Sequence, residues 1–178
     1  MNESQESSAA SEGRFVNPPI KRHPTLVPIS REHFAGLVLV RRMREAAQAD
    51  SAEARTHAAH MIANAWQEEL EGHFADEEKL LGDIIKPSEK ARLIEEHRSL
   101  ERRARMAIRS TQAPSAAWLS ETADMLEKHI RWEERELFPS AEQAGQKILD
   151  ARVDEAARIE RERPGSRRRQ EQRRQDTR

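Results

Sequence analysis

Four histidines and two glutamates in this chain have the chemistry and the spacing to hold metal ions. They are His33, His73 with Glu77, His97, and His129 with Glu133. An imidazole and a carboxylate four residues apart project from one face of a helix, so each pair can grip a cation from a single element. Two such pairs and two single histidines exceed the needs of one tetrahedral ion. They suit two ions, each with two histidines, bridged by Glu77 and Glu133. An oxo or hydroxo bridge would complete five-coordination and leave room for an exogenous ligand. Imidazole with carboxylate suits iron, manganese, zinc, copper and nickel, and the lack of cysteine removes the thiolates of a structural zinc site. Two non-haem irons are the first expectation, with manganese or zinc as the alternatives.

The pattern carries weight because it is joint. A lone histidine on an apolar stripe is usually a hydrogen-bonded core residue, and a single His-x-x-x-Glu arises readily by chance. Here each of four helical stripes brings its own histidine, and two of them add a glutamate on the same face. Burying two carboxylates beside four imidazoles without a cation would cost on the order of several kcal/mol per ion.

The elements that must position these residues are legible as helices. Ser30 is the expected cap of the first, which runs to about Gln48 with Leu37, Val40 and Met43 inward. Asp50 and Glu53 resemble a capping box opening the second. Its stripe is Ile62, Trp66, Leu70, His73, Glu77, Leu80, Leu81 and Ile84, in steps of three and four. Pro87 and Ser88 separate it from a third helix carrying Leu93, Ile94, His97, Leu100, Glu101, Ala104 and Ile108 on one side. Pro114 and Ser115 open a fourth, with Leu119, Thr122, Leu126, His129, Glu133 and Leu137 inward and an end near Pro139 or Gly145.

Short connections make successive helices antiparallel neighbours. The predicted fold is all-α, an up-down-up-down four-helix bundle over residues 19–145, with an accessory C-terminal helix over 146–163. Disordered tails are expected at 1–18 and in the arginine-rich stretch 164–178. In that topology the four ligand regions share one end, their depths agreeing to within roughly two turns at about 1.5 Å per residue. His33 is the shallowest, so the lead-in bearing Pro18, Pro19, Pro24 and Pro28 should lid that end.

Composition narrows the classes. The 178 residues are 35% charged with a net charge of -1, so the chain as a whole carries no nucleic-acid footprint. No cysteine means no disulfide, no iron–sulfur ligation and no thiolate catalysis. The longest apolar run, Leu37 to Val40, is too short to span a bilayer, and the polar N-terminus lacks the apolar core of a secretion signal. A cytoplasmic protein with no nucleic-acid or membrane partner is the expectation, with any protein partner unspecified.

The order His, His-x-x-x-Glu, His, His-x-x-x-Glu resembles the hemerythrin-like (HHE cation-binding) family of four-helix bundles. His129-Ile-Arg-Trp-Glu133-Glu-Arg-Glu-Leu-Phe-Pro139 is similar to the family's closing motif and Ser30-Arg-Glu-His33 to its opening one, the match covering roughly residues 22–145. The resemblance implies that His33, His73, His97 and His129 are terminal iron ligands and that Glu77 and Glu133 bridge. The chain departs from the oxygen-carrying hemerythrins in two places. Glu101 stands where they have a further histidine one turn after His97. Glu133 also lies four residues after His129, where they use an aspartate at five. The pattern is closer to bacterial and regulatory members, including di-iron proteins linked to iron–sulfur cluster repair, which carry a cysteine-containing N-terminal domain.

Glu101 is either a seventh ligand, an acceptor for a ligand imidazole N–H, or a glutamate paired with a nearby arginine. Glu78 and Glu134 are expected to face solvent, and His23, His57 and His60 to be lead-in or surface residues. Phe34, Phe74 and Trp132 each flank a ligand, either walling an open coordination position or simply packing. The function implied is a non-haem di-iron protein that binds or reacts with oxygen, peroxide or nitric oxide, in oxidative or nitrosative stress or in iron handling. The alternative is an iron- or oxygen-responsive sensor or interaction module without turnover. A ferritin-like oxidase would need Glu-x-x-His pairs, and no histidine here has glutamate three residues before it.

Overall fold

The computed structural model describes residues 21–162. The expected N-terminal tail, residues 19–20 of the expected bundle, residue 163 and the whole arginine-rich stretch 164–178 lie outside it. The described residues form an all-α, up-down-up-down four-helix bundle with a further C-terminal helix.

The first rod is α1, Val27–Gln48. It begins ahead of Ser30 because Pro28, whose fixed φ and missing N–H suit a first turn, is already helical. The carbonyl of His23 accepts the first free amides, those of Leu26 at 2.8 Å and Val27 at 3.1 Å. The second rod joins α2 (Ala52–Ala65), a π-turn (Trp66–Leu70) and α3 (Glu71–Leu81). Its cap is Ser51, whose Oγ accepts the Ala54 N–H at 3.1 Å, and not Asp50. The third rod is α4, Pro87–Arg109, with Pro87 in its first turn and Glu89 accepting the Lys86 N–H at 2.9 Å.

The fourth rod joins α5 (Ala116–Trp132), capped by Ser115 as expected, a second π-turn (Glu133–Leu137) and α6 (Phe138–Ala151). It therefore runs past both stop signals read from the sequence. Pro139 has no N–H to give an i→i−4 ladder, but the ladder is already interrupted by the π-turn before it, where the Phe138 N–H bonds Glu133. Gly145 kinks the rod (φ -131, ψ 28) without ending it, and a Cβ there would lie 2.2 Å from Ile84 Cγ2, so the kink permits close contact with the α3–α4 turn. The expected accessory helix is thus split between the end of α6 and α7, Val153–Glu162.

The apolar core has two parts. One, including Leu39, Met43, Ile62, Trp66, Leu100, Leu119, Leu126 and Ile130, fills the long half of the bundle. The other, including Leu26, Ile29, Leu81, Leu93, Leu137, Phe138 and Leu149, is closed by the lead-in, α6 and α7. Stripe positions mostly fall inward as read, with three corrections. Leu37 and Ile108 are exposed, the inward positions being Leu39 and Ala107. Phe34 is 73% exposed, so it walls nothing. For Leu37 and Ile108 the buried position lies two residues and one residue from the one read, and at about 100° per step either is enough to turn a side chain outward.

Candidate metal centre

Between the two apolar cores lies one polar layer. His33 comes from α1, His73 and Glu77 from α3, His97 from α4, His129 from α5 and Glu133 from the π-turn after it. All six are buried, and both carboxylates are 0% exposed. The site is therefore interior, not at a tip: a second core and the lead-in cover the end where His33 lies. Thr25 and Leu26 are fully buried there, Thr25 Oγ1 donating to the Leu149 carbonyl at 2.6 Å.

The two carboxylates face opposite ways with their two oxygens. Glu77 Oε1 lies 3.2 Å from His73 Nε2 and 3.5 Å from His33 Nε2, while its Oε2 lies 3.3 Å from His97 Nε2. Glu133 Oε2 lies 3.2 Å from His33 Nε2, and its Oε1 lies 3.2 Å from His129 Nε2 and 3.8 Å from His97 Nε2. The donors fall into two groups tight enough to hold an ion each. One is His33, His73 and Glu77; the other is Glu77, His97, His129 and Glu133.

A cation fits these donors on a second ground. His33 Nε2, His97 Nε2, His129 Nε2 and all four oxygens of Glu77 and Glu133 are buried without a protein hydrogen-bond partner. Seven inward-facing lone-pair or proton sites left unsatisfied in one layer would be an extreme exception among native interiors. Two metal ions, one in each group, would satisfy them.

On the outer side, each imidazole is held by a glutamate that a sequence-adjacent neighbour of another ligand supplies. His33 Nδ1 lies 2.7 Å from Glu134, His73 Nδ1 2.9 Å from Glu32, His97 Nδ1 2.8 Å from Glu78 and His129 Nδ1 2.8 Å from Glu96. A carboxylate can only accept, so Nδ1 carries the proton and Nε2 is the atom aimed inward. Glu78 and Glu134 therefore do not simply face solvent; the expectation failed because position along a helix was read without the neighbouring rod. Glu32 and Glu96 escaped notice altogether. The signal was present: each of the four glutamates is adjacent in sequence to a member of the inner set.

The electrostatics follow. Burial pushes the His33 imidazole down, but the carboxylates of Glu133, Glu134 and Glu77 around it override that and hold its pKa well above the ordinary value. His97 goes the same way, burial being outweighed by Glu133 and Glu77 to bring it up to about 10. Burial would raise Glu77, yet the surrounding imidazoles hold it well below the ordinary carboxylate range. Burial likewise opposes ionisation of Glu134, but His33, Ser30 and Arg22 bring it down to about 2. The cage thus favours positive charge at its centre, and protons and metal ions compete for the same Nε2 atoms.

Packing fixes the rings. Phe74 stacks on His97 with centroids 4.1 Å apart and planes 3° from parallel, and Phe138 stacks on His33 at 5.6 Å. Trp132 is buried 6.4 Å from His129, with the Arg92 guanidinium 4.0 Å from its ring centroid. Glu101 is not brought to the cluster; it pairs with Arg105 at 2.6 Å. His57 and His60 are exposed, and His23 meets Asp150 at 3.0 Å.

The Hemerythrin HHE cation binding domain matches residues 29–141, which contain every residue of the inner set. The chain belongs to this family. It carries two histidine–glutamate clusters with the geometry of the family's di-iron site. Comparison with curated proteins and comparison with solved structures each gave no match.

Proposed function

We propose that this protein is a non-haem di-iron protein of the hemerythrin-like type that binds or reacts with oxygen, peroxide or nitric oxide. His33 and His73 would hold one iron and His97 and His129 the other, with Glu77 and Glu133 placed to serve both. Iron bound there would supply the redox chemistry for a small ligand. The observation that carries the reading is the division of each carboxylate's two oxygens between opposite histidine pairs, which a site for one ion has no need of.

The size of the ligand is supported by a cavity beside the histidines. It is bounded by Gly36, Leu39, Leu70, Phe74, Leu126 and Ile130 and reaches His33, His73 and His129. It leaves about 40 Å³ for the centre of a water-sized molecule. One water needs roughly 10–15 Å³ by that measure, so a diatomic or peroxide fits and a metabolite does not. The mostly apolar wall suits a ligand that enters without charge. Among the described residues no helix is long and apolar enough to cross a membrane, and we place the protein's work in the cytoplasm.

The test is anaerobic reconstitution with ferrous iron, a count of ions per chain, and then admission of air or nitric oxide. Two irons per chain with a new near-ultraviolet charge-transfer absorption are expected; one ion, or uptake of zinc alone, overturns the reading. Sustained consumption of peroxide or nitric oxide would mark turnover. Binding without consumption would mark a sensor.

A further inference from the structure

The four outer glutamates form a closed ring with one direction. Glu32 on α1 holds His73 on α3; Glu78 on α3 holds His97 on α4; Glu96 on α4 holds His129 on α5; and Glu134, in the π-turn after α5, holds His33 on α1. Each rod therefore orients the imidazole of the next rod, and the fourth returns to the first. No histidine is held by the glutamate beside it in sequence.

The ring changes the charge of the site. Neutral imidazoles and two bridging carboxylates would describe a histidine-rich, weakly anionic centre. Four more carboxylates stand one imidazole away, so six surround the layer, offset in part by Arg22 on Glu134 at 2.7 Å and Arg92 on Glu96 at 2.7 Å. An Nδ1–H donated to a carboxylate also gives Nε2 a stronger lone pair. Both effects favour the more highly charged, oxidised metal pair over the reduced one.

Building on the di-iron reading, we propose that Glu32, Glu78, Glu96 and Glu134 are a ring of positioning residues that fixes all four imidazoles with Nε2 inward and lowers the reduction potential of the pair. Glutamine and alanine separate the two roles. Glutamine keeps an acceptor for Nδ1–H and removes the charge; alanine removes both. The most exposed of the four, Glu78, is the safest first position for folding.

Three measurements test this on the full chain. First, zinc-loaded parent and variants are compared by competition with a chelator. Each alanine variant is expected to lose about 10–100-fold in affinity, the usual cost of removing a carboxylate behind a metal-bound histidine, and each glutamine variant less. Second, the iron-loaded glutamine variants are titrated with redox mediators, and every midpoint potential is expected to rise. Third, in the diamagnetic zinc form, E32Q should move the imidazole Nδ1–H resonance of His73 and spare that of the adjacent His33.

Unchanged zinc affinity in the alanine variants, or potentials equal to the parent's in the glutamine variants, would overturn the proposal. So would a shift at His33 in place of His73. A parent chain that takes up fewer than two irons brings down the di-iron reading and this proposal with it. A parent that takes up two, with indifferent variants, brings down the proposal alone.

Discussion

Glu133 places one carboxylate oxygen 3.2 Å from His33 and the other 3.2 Å from His129, side chains that enter the bundle on different rods and belong to different ligand groups. It is fully buried and has no protein hydrogen bond to either oxygen. Removing the charge should cost the pair, not one ion. E133A is expected to take up at most one iron per chain and to lose most of the metal-dependent rise in melting temperature. For the parent that stabilisation should reach about 4 kcal/mol per bound ion when free metal exceeds its dissociation constant a thousandfold. Metal analysis and melting curves with and without metal check it.

The double variant H73A/H129A takes one imidazole from each ligand group. It is expected to bind no iron that survives desalting and to melt at the same temperature with or without metal. A retained metal-dependent shift would place the ions elsewhere.

Gly36 lines the cavity, and a Cβ built on it would stand 2.8 Å from Ile130 Cδ1. G36A should push Ile130 into the space beside the histidines. Iron stoichiometry is expected to hold while stopped-flow reaction with oxygen or nitric oxide slows severalfold. Stability should change little, because only the far end of the Ile130 side chain has to move and alanine within a helix gains about 0.5–1 kcal/mol over glycine.

Glu101, which sequence alone left open as a seventh ligand, pairs with Arg105 on the surface of α4. E101Q should leave metal uptake and the charge-transfer spectrum unchanged and alter stability by no more than about 0.5 kcal/mol. Loss of one ion would restore it to the ligand set.

Asp83, in the turn after α3, grips Arg152, the residue between α6 and α7, through two hydrogen bonds of 2.8 and 2.6 Å. The guanidinium holds the Asp83 carboxyl below its ordinary value. A carboxyl depressed in the folded state contributes stability that is present above its unfolded pKa and is lost as pH falls through the lower folded value. The Asp83 carboxylate is solvent-exposed, so the contribution is about 0–1 kcal/mol. D83N should remove that portion of the acid-induced loss below roughly pH 4 and leave melting at still lower pH unchanged. Metal-free protein is the right material, since proton–metal competition would otherwise dominate the acid limb.

Much of this was legible in sequence. Proline and serine boundaries, stripes at steps of three and four, and histidines on those stripes identify four rods and six inward-facing donor side chains, because helix periodicity alone decides which residues share a face. Cap positions were less secure. Ser30 and Asp50 are good capping types, but Pro28 already sits in helix and Ser51 lies one residue nearer the first free amide. Glu78 and Glu134 show the deeper limit. Viewed on their own helices they point away from the apolar stripe, and nothing local says that an imidazole of the neighbouring rod is there to meet them.

The amino-acid order by itself determined the rods, the phase of their apolar faces and the donor set of four imidazoles and two carboxylates, since each follows from spacing within one helix. Only the tertiary structure decided that Glu77 and Glu133 each share their oxygens between two histidine pairs, that a second core seals the layer from below, and that each rod orients the next rod's imidazole. Those relations depend on the rotation and height of one helix against another. They are set by packing across the whole interior, to which no single stretch of chain holds the key.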